Sequence, residues 1–511
     1  MRWTPPQESA RERRVAAKLR AASRFYRFLW EVRDELFADG FEDELIASYR
    51  PRGQEPCPPA MLAMVMLLQR YDALSDADAV EAAENDRRWQ LVLGTLADES
   101  APFGQGTLVR FRTRMMAHDL DRKLVDRTVE LAKKSGTFGW KKLRVALDSS
   151  PLQGAGRVED TWNLIGRAMS KVVHSVALAL SMEEEDVIRQ AGLFVLCADS
   201  IKSALDIDWD DDDAQHQALN LLLEQVSQLQ AWVAKKAAKP STVPPLKDAL
   251  SLLRRVVEQD TEPDPPRGGH KIIEGVARDR IISLGDTEMR HGRKSRTKRI
   301  DGYKRHIAVV DNLILATALE PANVREYEPT ARLLKAVKRH GEIETLDIDR
   351  GYLASPAVAV LHRAGVTIHS RAWNTTNHGL FTKNDFHIQL RRKRVICPNG
   401  ASAPITNTRQ VVFDAKDCGR CVLKSRCTNS SKRSLTIHPL EDLLITLRAD
   451  AKTGPGREQL RRRTVVEHRL ARVGAIQGNR ARYRGRRKNE LDLNRSAALV
   501  NLFEIARRRA A

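Results

Sequence analysis

The sequence has no long apolar run and few cysteines. Its longest apolar stretches, Met61 to Leu68 and Val172 to Met182, are too short to cross a bilayer. The first residues, Met1 to Glu8, lack the apolar segment of a secretory signal. Six cysteines in 511 residues are too few for the disulfide framework of a secreted protein. These absences argue against a membrane-spanning or disulfide-rich chain, and they predict a soluble cytoplasmic protein.

Acidic residues are in deficit. The chain has 66 Asp and Glu against 86 Lys and Arg, a formal net charge of +20, so we expect polyanionic partners. The excess is large from 451 to 511, where 17 Lys and Arg face 5 Asp and Glu. A solvated basic tail is one interpretation. The other is a loop along a phosphate backbone, because the basic residues are interspersed with Tyr483 and glycines. These residues are Arg480, Arg482, Arg484, Arg486, Arg487 and Lys488.

Residues 1–140 have the pattern of a helical domain. Pro58 and Pro59 precede apolar residues at helical spacing, and proline is common in the first turn of a helix. The last predicted helix of this region carries Arg110, Arg112 and Arg114. Short helices joined by tight turns and ending in a basic helix resemble a helix-turn-helix module, which predicts DNA binding. The alternative is an ordinary helical bundle.

Short apolar runs from residue 143 onward predict a sheet that is interrupted by insertions. A strand at 143–147 is followed by helical periodicity from 163 to about 255 and by a Pro- and Gly-rich linker at 261–269. The later predicted elements are strands at 280–284, 303–310, 313–319 and 343–348, a helix at 355–364 and a strand at 366–369. A hairpin followed by a strand–helix–strand crossover describes a ribonuclease-H-like α/β sheet.

Two aspartates follow short apolar runs of this sheet, and one glutamate lies on a predicted basic helix. Polar ligands of such sheets collect beyond the carboxyl ends of the strands, so we expect these carboxylates to meet. Such a set can hold a pair of Mg²⁺ or Mn²⁺ ions, which act on phosphodiesters by in-line displacement. The sequence therefore predicts a catalytic, Mg-binding triad of Asp148, Asp349 and Glu467. Asp347 is the alternative for the second position, because residues two apart on a strand face the same side.

Three basic residues near the acids are candidates for contacting phosphate. Arg463 precedes Glu467 by one helical turn, so both side chains emerge on one face. A surface salt bridge is the alternative for that pair. Lys304 and His306 alternate on a predicted strand and therefore face the same side. A purely structural histidine is the alternative for His306.

Four cysteines form a cluster: Cys397, Cys418, Cys421 and Cys427. Cys418 and Cys421 have the C-x-x-C spacing of a zinc knuckle, and four thiolates close a tetrahedral zinc site. The cluster therefore predicts a structural Zn²⁺ ion in a basic insertion. His438 is a weaker alternative ligand, and free thiols in a loop are the other alternative.

The length of the chain favours two to four structural units. The predicted fold is an α/β ribonuclease-H-like catalytic core with a mixed sheet, an all-α N-terminal domain, a helical insertion and a small zinc-ribbon-like insertion. The predicted segments are a helical DNA-binding domain (1–140), the first part of the core (141–162), a helical insertion and linker (163–270), the second part of the core (271–375), a Cys-rich zinc-binding insertion (376–445), and the glutamate helix with a basic C-terminal segment (446–511).

Seven short stretches follow one another in a recognisable order. They are 147–156 (LDSSPLQGAG), 286–292 (DTEMRHG), 301–306 (DGYKRH), 320–323 (EPAN), 349–352 (DRGY), 466–469 (VEHR) and 480–488 (RARYRGRRK). In this order they resemble the bacterial insertion-sequence transposases of the DDE type, in a subgroup with an N-terminal helical domain and a Cys-rich insertion. Residues 49–114 look like that helical domain.

The resemblance implies Asp148 as the first acid, Asp349 as the second and Glu467 as the third. Many of these transposases carry Tyr, Arg, Glu and Lys on the glutamate helix. Arg463 and Glu467 fit this signature, whereas the chain has Leu460 where the Tyr is expected and Gly474 where the Lys is expected.

The resemblance also implies a function. The chain would be a metal-dependent polynucleotidyl transferase and endonuclease that binds terminal inverted repeats and catalyses Mg-dependent DNA cleavage and strand transfer. Its partners would be double-stranded DNA, at the element ends and at the target, and further copies of the chain in a homo-oligomer. We expect it on the bacterial nucleoid when bound to DNA. The alternatives are a nuclease of the same fold that does not transpose, and an inactive DNA-binding regulator.

Overall fold

A mixed β-sheet lies at the centre of the fold. The computed structural model describes residues 2–4, 9–38, 40–50, 55–136, 138, 141–294 and 297–510. The strands of these residues are β1 Lys142–Gln153, β2 Thr261–Pro263, β3 His270–Ile272, β4 Arg290–Arg293, β5 Arg299–Val310, β6 Leu313–Pro321, β7 Glu342–Ile348, β8 Thr367–His369, β9 His387–Gln389, β10 Arg394–Ile396, β11 Ser402–Pro404, β12 Gln410–Val412 and β13 Ser434–Thr436.

Helices surround the sheet and form the added segments. They are α1 Ala10–Lys18, α2 Arg24–Phe37, α3 Phe41–Ala47, α4 Pro59–Tyr71, α5 Asp76–Asn85, α6 Arg87–Leu93, α7 Gln105–Ala117, α8 Leu120–Lys134, α9 Thr161–Leu180, α10 Glu184–Ala191, α11 Ile201–Leu205, α12 Asp212–Lys236, α13 Leu246–Asp260, α14 Thr330–Lys338, α15 Pro356–Arg363, α16 Ala415–Gly419, α17 Lys424–Cys427, α18 Glu441–Asp450, α19 Gly454–Arg461, α20 Thr464–Gln477 and α21 Arg486–Arg509.

The central sheet has the strand order β5-β1-β7-β8, with β4 and β6 both paired to β5. Strand β5 is antiparallel to β1, whereas β7 is parallel to both β1 and β8. The hairpin of β5 and β6 turns at Asp311 and Asn312, as the sequence predicts. Both have positive φ, of 46° and 67°, which a tight two-residue hairpin turn requires. The result is a mixed α/β core with a parallel crossover through α15.

One strand prediction is wrong. Residues 280–284 form no strand in the structure. Their apolar side chains are buried by packing instead, because Ile281 and Leu284 enter the core of the helical insertion and Ile282 enters the main core. The neighbouring strand of the sheet is β4, which the sequence pattern does not reveal.

The helical insertion has a hydrophobic core of its own. Helices α9 to α13 bury one face each, including Leu164, Val172 and Leu222, in a cluster separate from the main core. The segment predicted as a linker contains β2, which pairs with β3 as a short hairpin.

The C-terminal segment is not a solvated tail. Its residues 481–485 form a loop, and α21 follows this loop. Residues 489–502 of α21 are buried on every face of the helix. This helix packs against α4 and α8 of the N-terminal helices and against α20 and β6. A helix that is buried all round is a central element of the fold. The N-terminal helices therefore share the main core with the sheet. The predicted boundary at residue 140 lies outside the described residues.

The Cys-rich insertion contains two small sheets, one of β9, β10 and β11 and one of β12 and β13. Their apolar side chains, including Phe386, Val395 and Phe413, form a third cluster. Over the whole described chain, no helix is long and apolar enough to cross a membrane.

Candidate active site

The register of the central sheet places the two aspartates side by side. Strands β1 and β7 are paired in parallel up to Leu147 and Ile348, and Asp148 and Asp349 are the next residues of each chain segment. The sequence predicts that Asp148 ends a strand, and this is wrong. Strand β1 continues to Gln153, because β5 still pairs with it after the pairing with β7 has stopped. Asp148 therefore lies in mid-strand, at the point where one of its two neighbours ends.

A cavity of about 1020 Å³ opens at this point. Asp148, Asp349 and Glu467 all line it, although they come from β1, the end of β7 and α20. The other lining residues are Ser149, Ser150, Pro151, Lys294, Arg305, Glu326, Arg350, Gly351, Trp373, Arg463, Leu470, Ala471, Gly474, Ala475 and Asn479. The structure thus brings the three predicted acids to one cavity, together with one predicted basic residue, Arg463.

Arg463 joins two of the acids. At the start of α20, its Nη1 donates to Oδ2 of Asp148 at 2.9 Å and its Nη2 donates to Oε1 of Glu467 at 2.8 Å. The salt bridge between Arg463 and Glu467, which was the alternative from the sequence, therefore exists, and Arg463 also contacts Asp148. Burial raises the pKa of Asp148, and Arg463 opposes this rise, whereas Asp349 and Glu467 add to it through like-charge repulsion.

Asp347 does not line the cavity. It is buried, and Arg144 donates to both of its carboxylate oxygens, at 2.7 and 2.9 Å. His369 also contacts it, with Nδ1 2.8 Å from Oδ1. This carboxylate is held within a structural network, whereas Asp349 follows the last residue of β7 and faces the cavity.

His306 cannot contact DNA. Its side chain is 0% exposed, and its Nδ1 lies 2.8 Å from the hydroxyl of Tyr352. Burial lowers the pKa of His306 to about 3, so the ring is neutral at physiological pH. Lys304 is half-buried, donates from Nζ to the carbonyl of Val324 at 2.9 Å and does not line the cavity. The prediction of phosphate contact is therefore wrong for His306, and the structure gives Lys304 a different partner.

The basic C-terminal residues divide into two sets. Arg480, Arg482, Arg484 and Lys488 are exposed before and at the start of α21. Arg487 instead donates to Asp121, which is 1% exposed, with Nη1 2.8 Å from Oδ2. Arg486 donates to Glu320 at 3.2 Å. The charge of Arg487 thus compensates a buried carboxylate, and its contact with phosphate stays a prediction.

The three arginines of α7 also differ. Arg110 is exposed. Arg112 forms a two-pronged ion pair with Asp76, one bond of which measures 2.7 Å. The guanidinium of Arg114 stacks over the ring of Tyr49 at 4.3 Å. Two of these side chains are thus engaged within the helical domain.

Glu326 is a cavity residue that the sequence does not reveal. It lies in the loop between β6 and α14 and accepts a hydrogen bond of 2.9 Å from the hydroxyl of Ser149. A side chain at position 351 would collide with its carboxylate, so Gly351 leaves the space that Glu326 occupies. A single acid in a loop, several residues after the preceding strand has ended, gives no signal by which it could be found.

The four clustered cysteines line one small pocket, of about 30 Å³. The pKa of Cys427 is raised by burial and, to a smaller extent, by the three other thiols. Among the described residues, however, no group of three or more His, Cys, Asp or Glu side chains is arranged to hold a metal ion. Neither the four cysteines nor the three acids are therefore arranged around a metal position, and two of the acids are paired to Arg463.

Comparison with known proteins adds two family matches. Residues 396–506 match a family described as "Transposase DDE domain", and residues 15–114 match a "Transposase domain (DUF772)". The first match includes Glu467, the four cysteines and most of α21, and the second covers α2 to α7. Asp148 and Asp349 lie outside both ranges. No curated protein and no solved structure matches the chain. Together, the two family matches support an insertion-sequence transposase of the DDE type.

Proposed function

We propose that the protein binds the terminal inverted repeats of its insertion sequence and catalyses Mg-dependent DNA cleavage and strand transfer. One observation carries this proposal. Carboxylates from three segments that are far apart in sequence, Asp148, Asp349 and Glu467, line a single cavity. A cavity of about 1020 Å³ with an acidic wall, in a chain of net charge +20, suits a phosphodiester held against cations.

The donor set has the chemistry of a magnesium site. Carboxylate oxygens are the ligands that Mg²⁺ prefers, and two or three of them suffice because the ion keeps several waters. Asp148, Asp349 and Glu467 would hold such ions, which supply charge stabilisation to the attacking and leaving oxygens of an in-line displacement. Arg463 now compensates the charge of Asp148 and Glu467, so its side chain must move to free these ligands.

The chain fixes two of the acids more firmly than the third. Asp148 is within a strand, and its Oδ1 accepts from the backbone N–H of Ser149 at 2.7 Å. Asp349 directly follows β7. Glu467 is half exposed in the first turn of α20. We infer that Asp148 and Asp349 define the geometry of the site, and that Glu467 completes it when DNA and metal are present.

Exposed basic residues would contact the DNA backbone around this cavity. The candidates are Arg480, Arg482, Arg484 and Lys488, with Arg110 on the helical domain. Such contacts release counterions, so binding should weaken steeply as salt rises. We also propose that copies of the chain assemble on the two element ends as a homo-oligomer.

A structural zinc ion in the Cys-rich insertion belongs to the same proposal. Cys397, Cys418, Cys421 and Cys427 line one pocket, which supports a common ligand for their sulfurs. The thiols would have to rotate and ionise to bind it. Burial opposes the ionisation, because it raises the pKa of Cys427. Elemental analysis of the purified protein and of Cys418→Ser tests this point. About one zinc per chain in the wild type, lost in the variant, is the expected result.

The experiment on the function uses a DNA duplex ending in the repeats that flank the gene. We expect Asp148→Ala, Asp349→Ala and Glu467→Ala to bind this duplex but to cleave nothing in Mg²⁺. Glu344→Ala is the matched control, because Glu344 is an exposed acid of β7 that pairs with Lys142 and does not line the cavity. Full strand transfer by an acid variant would contradict the assignment.

The same assay separates the alternatives. A nuclease that does not transpose would cut the duplex but would not join its 3′-hydroxyl to a target. An inactive regulator would bind without metal and cut in neither Mg²⁺ nor Mn²⁺. The three acids at one cavity argue against the inactive regulator, and the two family matches favour the transposase over the nuclease.

A further inference from the structure

Arg305 is a buried cation that has no carboxylate partner among the residues that the structure describes. It is 2% exposed, and it donates four hydrogen bonds, all to neutral acceptors. Its Nε donates to Ser150, its Nη1 to Gln477 and to the carbonyl of Gly478, and its Nη2 to the carbonyl of Pro151. A guanidinium has five N–H groups, so one of them, on Nη2, is left without an acceptor in the described part of the chain.

The surroundings of Arg305 do not neutralise its charge. The acid that raises the pKa of Arg305 is Asp492, which already pairs with Arg495 at 2.8 Å and with Arg70 at 3.7 Å. Arg70 and Arg495 are themselves buried. Burial lowers the pKa of Arg305 to about 10, so it keeps its charge at neutral pH at a cost to the fold. A buried charge retained in this way suggests an anionic ligand.

The guanidinium borders the cavity beneath Gly474. Arg305 and Gly474 both line the cavity that holds the three acids. Gly474 is seven residues after Glu467 on α20, which places both on one face of the helix. A Cβ atom at position 474 would lie 3.6 Å from Nη2 and 3.9 Å from Nη1 of Arg305. The glycine thus leaves a gap through which the guanidinium reaches the cavity, at the position where the family resemblance places a lysine.

We propose that Arg305 binds a phosphate group of the DNA backbone through the gap at Gly474, and so supplies from β5 the cation that α20 lacks. The inference rests on the proposed function, because it takes DNA as the occupant of the cavity. Arg305 would position the strand next to the acids, with its unused N–H as donor and its four internal hydrogen bonds as a rigid support. A rigid, already desolvated guanidinium loses little conformational freedom when it binds phosphate.

The test measures how the affinity for DNA depends on salt. Each phosphate contact contributes about 0.9 to the slope of log K against log salt. A fluorescein-labelled duplex of mixed sequence is titrated by anisotropy at constant Mg²⁺ with wild type, Arg305→Met and Arg127→Met. Arg127 is the matched control, because it is also a buried arginine that donates to backbone carbonyls, of Leu36 and Glu35, but lies away from the cavity.

We expect the slope to fall by about 1 in Arg305→Met and to stay unchanged in Arg127→Met. Adding Gly474→Lys to Arg305→Met returns a cation to the same gap and should restore the slope, which a purely structural role of Arg305 would not allow. Equal slopes for the wild type and Arg305→Met would overturn the inference, whereas a wild type that binds no DNA would overturn the proposed function instead.

A second pair of variants covers the case in which Arg305→Met does not fold. Gly474→Glu sets a carboxylate beside Arg305, and Gly474→Gln is its uncharged counterpart of similar size. Both replace a helical glycine without positive φ, so the helix should gain stability. We expect the slope to fall in Gly474→Glu by more than in Gly474→Gln. The same slope in both variants would overturn the inference.

Discussion

Arg463 and Asp148, 315 positions apart in the chain, are joined by a hydrogen bond of 2.9 Å across the cavity. The same guanidinium bonds Glu467. One cation of the protein therefore compensates two of the three acids that we assign to divalent metal. Metal binding and this ion pair compete for the same oxygens.

The competition predicts a gain of metal affinity on removing the arginine. Arg463→Gln should bind Mn²⁺ more tightly than the wild type, because the ion no longer displaces a guanidinium from Asp148 and Glu467. Titration of Mn²⁺ followed by electron paramagnetic resonance measures this without DNA. Arg461→Gln is the control, since Arg461 is exposed and pairs with Glu458 instead of with an acid of the cavity. Weaker Mn²⁺ binding by Arg463→Gln would show that the arginine supports the metal instead of competing with it.

The raised pKa of Asp148 predicts how stability depends on pH. Folding penalises the ionised carboxylate, so the free energy of unfolding should fall as pH rises from the ordinary carboxyl pKa of about 4 through the raised folded-state value. Asp148→Asn removes this loss and should be the more stable protein at about pH 8 without metal. Urea unfolding at both ends of this range, with and without Mg²⁺, checks it. A variant less stable than the wild type at high pH would contradict the prediction.

His306 predicts a pH dependence of the opposite sign. Its folded-state pKa is about 3, below the value of about 6.5 expected for the unfolded chain. The unfolded state thus binds the proton more readily, and the free energy of unfolding should fall by about 1 kcal/mol for each pH unit below about 6.5. His306→Gln should lose this dependence. If the pH profiles of wild type and variant run parallel, the neutral buried histidine is not the cause.

Gly351 predicts a steric link to the site. Gly351→Ala directs a methyl group at the carboxylate of Glu326, which must shift away from Ser149. We expect slower DNA cleavage with little loss in the free energy of unfolding, because the displaced atoms are the end of a flexible side chain. Gly454→Ala is the control, because nothing lies within 4 Å of its Cβ position. If both variants behave alike, Glu326 is not confined by position 351.

The C-terminal arginines should separate into structural and DNA-binding residues. Arg487→Ala leaves Asp121 buried without its main cation and should cost about 3–5 kcal/mol of stability. Arg484→Ala should leave stability unchanged and weaken DNA binding, because this side chain is exposed. Thermal unfolding and DNA titration of both variants test this, and the reverse pattern would refute it.

The sequence predicts which acids follow the apolar runs of the sheet because an apolar run is a local feature. Apolar runs of β7 and β1 end immediately before Asp349 and Asp148. The pairing of these two strands sets the two aspartates side by side, even though β1 continues to Gln153. The hairpin turn at Asp311 and Asn312 is equally local. These features depend on neighbouring residues, which the sequence displays directly.

The parts that the sequence does not predict depend on distant partners. Helix α21 carries charged and amide side chains on its buried faces, so it has no apolar stripe that would mark it as central. Some of its polar groups find partners far away in the sequence, as Asn494 does in Asp121 and Asn501 in Ile314. Arg305 and Glu326 enter the cavity in the same way, by tertiary contacts that no local pattern announces.

The most direct test of the central claim replaces Mg²⁺ with Fe²⁺ and lets the bound ion cut the protein. Fe²⁺ with ascorbate generates hydroxyl radicals that cleave the backbone next to the metal, and mass spectrometry locates the cuts. Our account predicts cuts near Asp148, Asp349 and Glu467 together, suppressed by excess Mg²⁺ and reduced at all three places by Asp349→Ala. Cuts confined to one of these segments, or found elsewhere in the chain, would contradict a metal site shared by the three acids.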